Sequence, residues 1–142
     1  MFVILFFQFY NNIDAQLELS VEVLDDYIGE AKEVYHLNPW LNYTLPTHRM
    51  REIGIQNKLF DLLDERKFTL TEVYEFCRML FGAREFDSVP DPEVDFKGFM
   101  KKLGHILDRQ RGQWNPISKK TKPLVDVKEI SRMYGNDGCV IM

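Results

Sequence analysis

Thr69-Leu-Thr-Glu72-Val73-Tyr-Glu-Phe76-Cys77-Arg-Met-Leu80-Phe81-Gly82 is the stretch whose reading settles the fold class. Thr69 and Glu72 have the spacing of a capping box, in which the hydroxyl and the carboxylate satisfy two orphan backbone donors at a helix start. Val73, Phe76, Cys77, Leu80 and Phe81 fall on one side of a helix and predict a buried stripe. Gly82 stands where a residue of left-handed conformation ends a helix. A start, a face and a stop agree within one short segment. Cys77 lies on the stripe and reads as a small core residue, not a nucleophile.

Similar punctuation appears on both sides. Upstream, Ser20 is a good N-cap for a helix reaching Leu37, with Leu24, Tyr27, Ile28, Ala31, Val34 and Tyr35 on one face and Asn38-Pro39 as the stop. A turn-rich loop from Asn38 to Pro46 carries Trp40 and Tyr43. Thr47 then caps a helix to about Glu65, with Met50, Ile53, Leu59, Phe60, Leu62 and Leu63 inward. Downstream, Asp91-Pro92 reads as an N-cap followed by proline at the first helical position. The helix it opens turns Phe96, Phe99, Met100, Leu103, Ile106 and Leu107 inward and stops at Gly112. Residues 113–125, with two prolines and three lysines, are expected to be irregular. Asp126 and Glu129 repeat the capping-box spacing and start a short helix closing at Gly135. The expected fold is mainly α, a compact bundle of about five helices. A β-strand at the N-terminus and short winged-helix-like strands around Phe68 or after Arg111 complete it. Residues 1–135 form one helical domain and residues 136–142 a short C-terminal tail.

The apolar run from Met1 to Phe7 is far shorter than the roughly 20 residues that span a bilayer. It also lacks the preceding Lys or Arg and the clean cleavage site of a signal peptide, so it reads as a buried strand or an apolar arm on the helices. Two cysteines, Cys77 and Cys139, make no disulfide framework and no CxxC pair, which points to a reducing, intracellular setting, cytoplasmic or nuclear in a eukaryote. His36, His48 and His105 show no metal-ligand spacing with them, so neither a metal nor a cofactor is expected. Phosphate-binding glycine loops and the common hydrolase motifs are missing, and the paired carboxylates fall on predicted helix surfaces. The reading is of a non-catalytic protein.

Charge is distributed very unevenly. Residues 1–96 carry 18 acidic and 8 basic side chains, whereas residues 97–122 carry eight basic ones against Asp108 alone. Lys97, Lys101, His105 and Arg109 recur every four residues and form one stripe on the predicted helix, with Lys102 beside it. Arg111, Trp114, Lys119, Lys120 and Lys122 extend the positive surface. Lysine and arginine neutralise phosphates, and Trp114 could stack on an exposed base. Nucleic acid or another anionic macromolecule is the expected partner, an anionic membrane and the chain's own acidic two-thirds being the alternatives, and a solvated helix face the bland reading.

Three resemblances bear on these residues. Residues 53–111 are similar to a winged-helix arrangement, with Phe68-Thr-Leu-Thr-Glu-Val73 opening the second helix. That resemblance implies a recognition helix over 92–109 and a wing over 110–127. Asp91, Glu93 and Asp95, however, put negative charge at the end of that helix which faces bases in the family. Asp61 to Glu72 resembles an EF-hand loop, but Leu63 stands where an oxygen ligand belongs and Arg66 where the loop needs glycine, so calcium is excluded there. Cys139-Val-Ile-Met142 resembles the CaaX box of prenylated eukaryotic proteins, which implies farnesylation at Cys139. One lipid anchors only marginally, and Lys119, Lys120 and Lys122 would have to supply the second signal. The rivals to an anion-binding regulator or accessory subunit are thus two. One is a prenylated peripheral membrane adaptor. The other is a structural subunit that binds protein partners through Trp40, Tyr43 and the N-terminal aromatic run.

Overall fold

Helix α4, Leu70–Phe81, begins and ends where the sequence places it. Thr69 Oγ1 accepts from the Glu72 amide at 3.2 Å, and a Glu72 carboxylate oxygen accepts from the Thr69 amide at 2.9 Å. Gly82 closes the helix at φ 97°, in the positive region that a side chain rarely adopts. The structure is a computed structural model and describes residues 21–52 and 57–135, with side chains from residue 26 onward. Ser20, the N-terminal run, Ile53 and the tail with Cys139 lie outside the described residues.

Around α4 the described residues form five further helices and one hairpin: α1 Val21–Leu37, α2 Leu45–Glu52, α3 Lys58–Leu62, α5 Phe96–Asp108, β1 Gln113–Asn115, β2 Lys120–Lys122 and α6 Val127–Ile130. A single π-helical turn, Ser131–Gly135, continues α6. The architecture is mainly α with a small two-stranded antiparallel sheet. One apolar cluster runs through it from Tyr27 to Ile130. Its centre is aromatic. Phe76 on α4 meets Phe60 with ring centroids 5.2 Å apart, and Phe68 and Trp40 at 5.9 Å. Edge and tilted ring pairs of this kind add to the plain burial of apolar area.

Several local expectations are corrected. Tyr27, Ala31 and Val34 turn inward on α1, but Tyr35 is 49% exposed because it lies on the flank of that stripe, near the helix end. The helix expected from Thr47 to Glu65 is two in the described residues. Thr44, not Thr47, opens α2: its carbonyl accepts from the His48 amide at 3.1 Å and its hydroxyl from the Thr47 amide at 3.4 Å. Asn57 opens α3, its side chain accepting from the Leu59 amide at 2.9 Å. Helix α5 begins four residues after Asp91-Pro92, which instead form a separate turn closed by Asp91 O accepting from Val94 and Asp95. Asp95 is the cap, since its carboxylate reaches the Gly98 amide at 2.9 Å. The helix ends at Asp108, short of Gly112.

Residues 113–125 are not irregular. They hold the β1–β2 hairpin, in the region that the winged-helix resemblance assigns to a wing, with Gln113, Trp114 and Asn115 opposite Lys122, Thr121 and Lys120. Phe68 is in no strand, because the Asn38 side chain takes its amide at 2.9 Å. Asp126 caps α6 as expected, accepting from Lys128 and Glu129 amides at 3.0 and 3.2 Å. Glu129 does not complete a capping box. Its carboxylate turns to Arg132 at 2.7 Å, and the Asp126 amide donates to Trp40 O at 2.7 Å.

Trp40 and Tyr43 are not a docking surface. Their segment threads the interior, where Trp40 is 0% and Tyr43 2% exposed. Leu41 bridges Val125 antiparallel, and the Asn42 amide donates to Leu124 O at 2.9 Å, so this buried strand-like segment ties α1 to the chain before α6.

Candidate functional site

Helix α5 divides its residues sharply. Phe99, Leu103, Ile106 and Leu107 are buried, and at 100° per residue the opposite side carries Lys97, Lys101, Lys102, His105 and Arg109, all exposed. From Lys97 to Arg109 the stripe runs about 18 Å along the axis. Asp108 interrupts it. Arg109 is already engaged, its guanidinium lying 2.8 Å from the Glu85 carboxylate. Lys102, His105 and Arg109 share a pocket of about 440 Å³ with Glu85 and Asp108, so the C-terminal half of the stripe is of mixed sign.

The hairpin carries the second group. Arg111, Lys119, Lys120 and Lys122 are exposed, and Trp114 is 50% exposed. Lys119 sits in the turn at φ 57°, a conformation that is uncommon for a residue with a side chain. What holds the ribbon in place is a pair of buried asparagines. The Asn42 amide nitrogen donates to Gln113 O at 3.1 Å and to Lys122 O and Pro123 O at 3.4 Å. The Asn115 amide donates to Asn42 Oδ1 at 2.9 Å, while Asn115 Oδ1 accepts from the Ile117 and Ser118 amides and fixes the turn. Lys122 also lines a cleft of about 450 Å³ whose other walls include Tyr35 of α1 and Gly104 and Asp108 of α5. The ten residues singled out in the sequence therefore do not line one cavity. They divide between the outer face of α5 and the hairpin, and the two meet where Lys122 and Asp108 share the cleft.

No protein-family model, no curated protein and no solved structure matches this chain.

Ion pairing is selective. Among the described residues the ion pairs draw on His48, Arg49, Arg51, Arg66, Arg109 and Arg132, and no lysine enters one. Among the described residues, Arg109 is the one member of the basic stripe and hairpin that pairs with a carboxylate. The acidic side uses its own arginines. Arg51 joins Glu30 and Asp64, and burial, followed by the hydrogen bond with Asp64, pushes the Glu30 carboxyl above the usual range. Arg66 clamps Glu72 through two contacts of 2.7 and 2.6 Å, which, with the Thr69 cap, takes the Glu72 carboxyl down to about 2.

Two polar groups of the interior escaped the sequence reading. Tyr43 Oη and His48 Nδ1 lie 3.1 Å apart beneath the Tyr27 ring, and burial lowers the His48 pKa below its ordinary value. Asn38 has the place of a helix stop in the sequence, yet its side chain is fully buried and joins four partners. The available signal was composition. Asparagines set among Trp40, Leu41 and Tyr43 enter a core only when their amides are bonded throughout. Cys77 is buried as the stripe requires, and burial pushes its thiol far up, which removes it as a nucleophile at neutral pH. No helix among the described residues is long and apolar enough to cross a membrane.

Proposed function

We propose that the chain is an intracellular, non-catalytic helical binding module, a small regulator or accessory subunit, which holds nucleic acid against the outer face of α5 and the β1–β2 hairpin. The observation that carries this reading is the set of six exposed lysines, Lys97, Lys101, Lys102, Lys119, Lys120 and Lys122, none within ion-pair distance of a carboxylate among the described residues. Such a set repels itself until an outside anion meets it, and a polyphosphate chain supplies anions at repeated short intervals. The acidic remainder of the molecule would repel the same polymer and so orient it on this face. Lys97, Lys101 and Lys102 contact phosphates from a rigid helix, while the hairpin lysines reach a neighbouring stretch.

The test is binding of fluorescent single-stranded and duplex oligonucleotides across a salt series. The expected result is an affinity that falls steeply with salt, with a log–log slope of several units. Replacing Lys97, Lys101 and Lys102 together by Glu should abolish binding at moderate salt while leaving the thermal midpoint nearly unchanged, because all three side chains are exposed. Binding that survives the triple replacement unchanged overturns the reading.

A further inference from the structure

We propose that the β1–β2 ribbon is a stacking platform for an unpaired base, with Trp114 as the residue that holds it, so that the preferred ligand is single-stranded nucleic acid. The inference rests on the nucleic-acid reading above and narrows it to one strand form. Of the two tryptophans, Trp40 is 0% exposed and serves the core, while Trp114 exposes half its surface on a strand only three residues long. Side chains alternate across a ribbon, so Trp114 and its cross-strand partner Thr121 share one face, and Gly112 lies on the same side two residues earlier. A Cβ at Gly112 would meet Thr121 Cγ2 at 2.9 Å. Glycine there lets Thr121 close the platform beside the indole, with no large side chain to cover the ring.

The platform is stiff and cationic at its edges. The Asn42 and Asn115 amides clamp both strands and the turn, so little ordering is left to be done when a ligand arrives. Lys120 and Lys122 precede and follow Thr121 on the ribbon's other face, Lys119 sits in the turn and Arg111 precedes the first strand, all exposed and on stems long enough to reach round the ribbon's edges. An indole on a fixed surface, with flexible cations at the ribbon's edges, matches a base joined to phosphates on either side. Geometry selects the strand form. Each base inside a duplex is covered on both faces by its neighbours, so only an unpaired base offers a face to Trp114. A lipid surface fits less well. Trp114 and Ile117, 36% exposed at the turn, are the only large apolar groups exposed on the hairpin, far less than the broad apolar face an interfacial anchor needs.

The indole itself reports the outcome. Titrating the full-length protein with oligodeoxythymidylate should quench the tryptophan emission in a salt-dependent way, with buried Trp40 left as unquenched background. A duplex of equal length should bind more weakly and quench less. Trp114→Ala should lower affinity for the single strand about 5- to 100-fold and leave duplex affinity nearly unchanged, and Trp114→Phe should retain most of it. A thermal melt of each variant confirms the fold, which an exposed ribbon residue should leave intact. Salt-dependent binding without quenching, or an unchanged affinity in Trp114→Ala, overturns stacking and leaves the cationic surface standing. No binding to either strand form at low salt overturns both readings. A blue shift on phosphatidylserine vesicles with no response to oligodeoxythymidylate replaces the base by a membrane surface.

Discussion

Asn38 is the residue whose removal should be felt most. Its amide nitrogen donates to Leu63 O and Arg66 O, each at 3.0 Å, and its oxygen accepts from the Phe68 amide and Trp40 Nε1. One fully buried side chain thus satisfies the end of α3, the loop after it and the entrance to α4. Asn38→Ala strands two carbonyls and two N–H groups in the interior. A buried polar group left unpaired costs about 1–3 kcal/mol. With partial relaxation and entry of water, the expected loss is about 3 kcal/mol, read as a lower urea midpoint at unchanged slope. A loss below about 1 kcal/mol would mean that water takes over these contacts and that Asn38 is not the hub its geometry indicates. Tyr43 and His48 make a smaller buried contact of the same kind, and the sequence hints at Asn38 only through its place beside Trp40, Leu41 and Tyr43.

The start of α4 shows what an element owes to its ends. The capping box and the Arg66 clamp both act on the Glu72 carboxylate, whose pKa falls from 4.5 to about 2. The sign follows directly. A carboxyl whose folded pKa is depressed binds its proton more readily in the unfolded chain, so it contributes stability above about pH 5 that is lost as pH falls toward 2. Glu72→Gln should therefore lower the thermal midpoint at neutral pH by the few degrees that about 1 kcal/mol represents, discounted for the exposed Arg66 partner, and should flatten the acid limb below pH 5. A midpoint difference that stays constant from pH 7 to pH 2 would contradict it. This element was fully legible, because its cap, stripe and stop are contiguous in the chain. Boundaries were misread where the deciding partner is distant or a second capping residue competes. Thr44 took the start of α2 from Thr47, and Asp95 took that of α5 from Asp91. The hairpin was half seen. Its prolines and lysines signal turns, but its register is set by Asn42, some seventy residues away in the chain. The candidate site was legible as a charge pattern, since four-residue spacing places Lys97 to Arg109 on one helix face. Its division between α5 and the hairpin, and the pairing of Arg109 with Glu85, depend on tertiary contacts that spacing does not encode.

At the scale of the molecule, charge is segregated along the chain, and the ion pair that Arg109 makes on the proposed surface carries the last prediction. Arg109 extends the line of Lys97 and Lys101 but spends its charge on Glu85 at 2.8 Å, with the guanidinium 64% and the carboxylate 40% exposed. An exposed pair of this kind contributes little to stability, on the order of 0–1 kcal/mol, so breaking it should leave the fold unaffected. Its effect on binding should be larger, because a phosphate approaching this end of the stripe meets a neutralised arginine and a free carboxylate edge. Glu85→Gln removes that carboxylate and releases Arg109. The expected outcome is a several-fold gain in affinity for oligonucleotide at moderate salt and a salt slope steeper by about 0.7–0.9, one further phosphate contact. Arg109→Ala should cost less affinity than Lys101→Ala in the native chain and as much or more in the Glu85→Gln background. That non-additivity separates an electrostatic footprint, in which Glu85 holds one contact in check, from a helix face whose lysines serve only solubility. If Glu85→Gln leaves both affinity and slope unchanged, the C-terminal half of α5 lies outside the binding surface, and the footprint is confined to Lys97, Lys101, Lys102 and the hairpin.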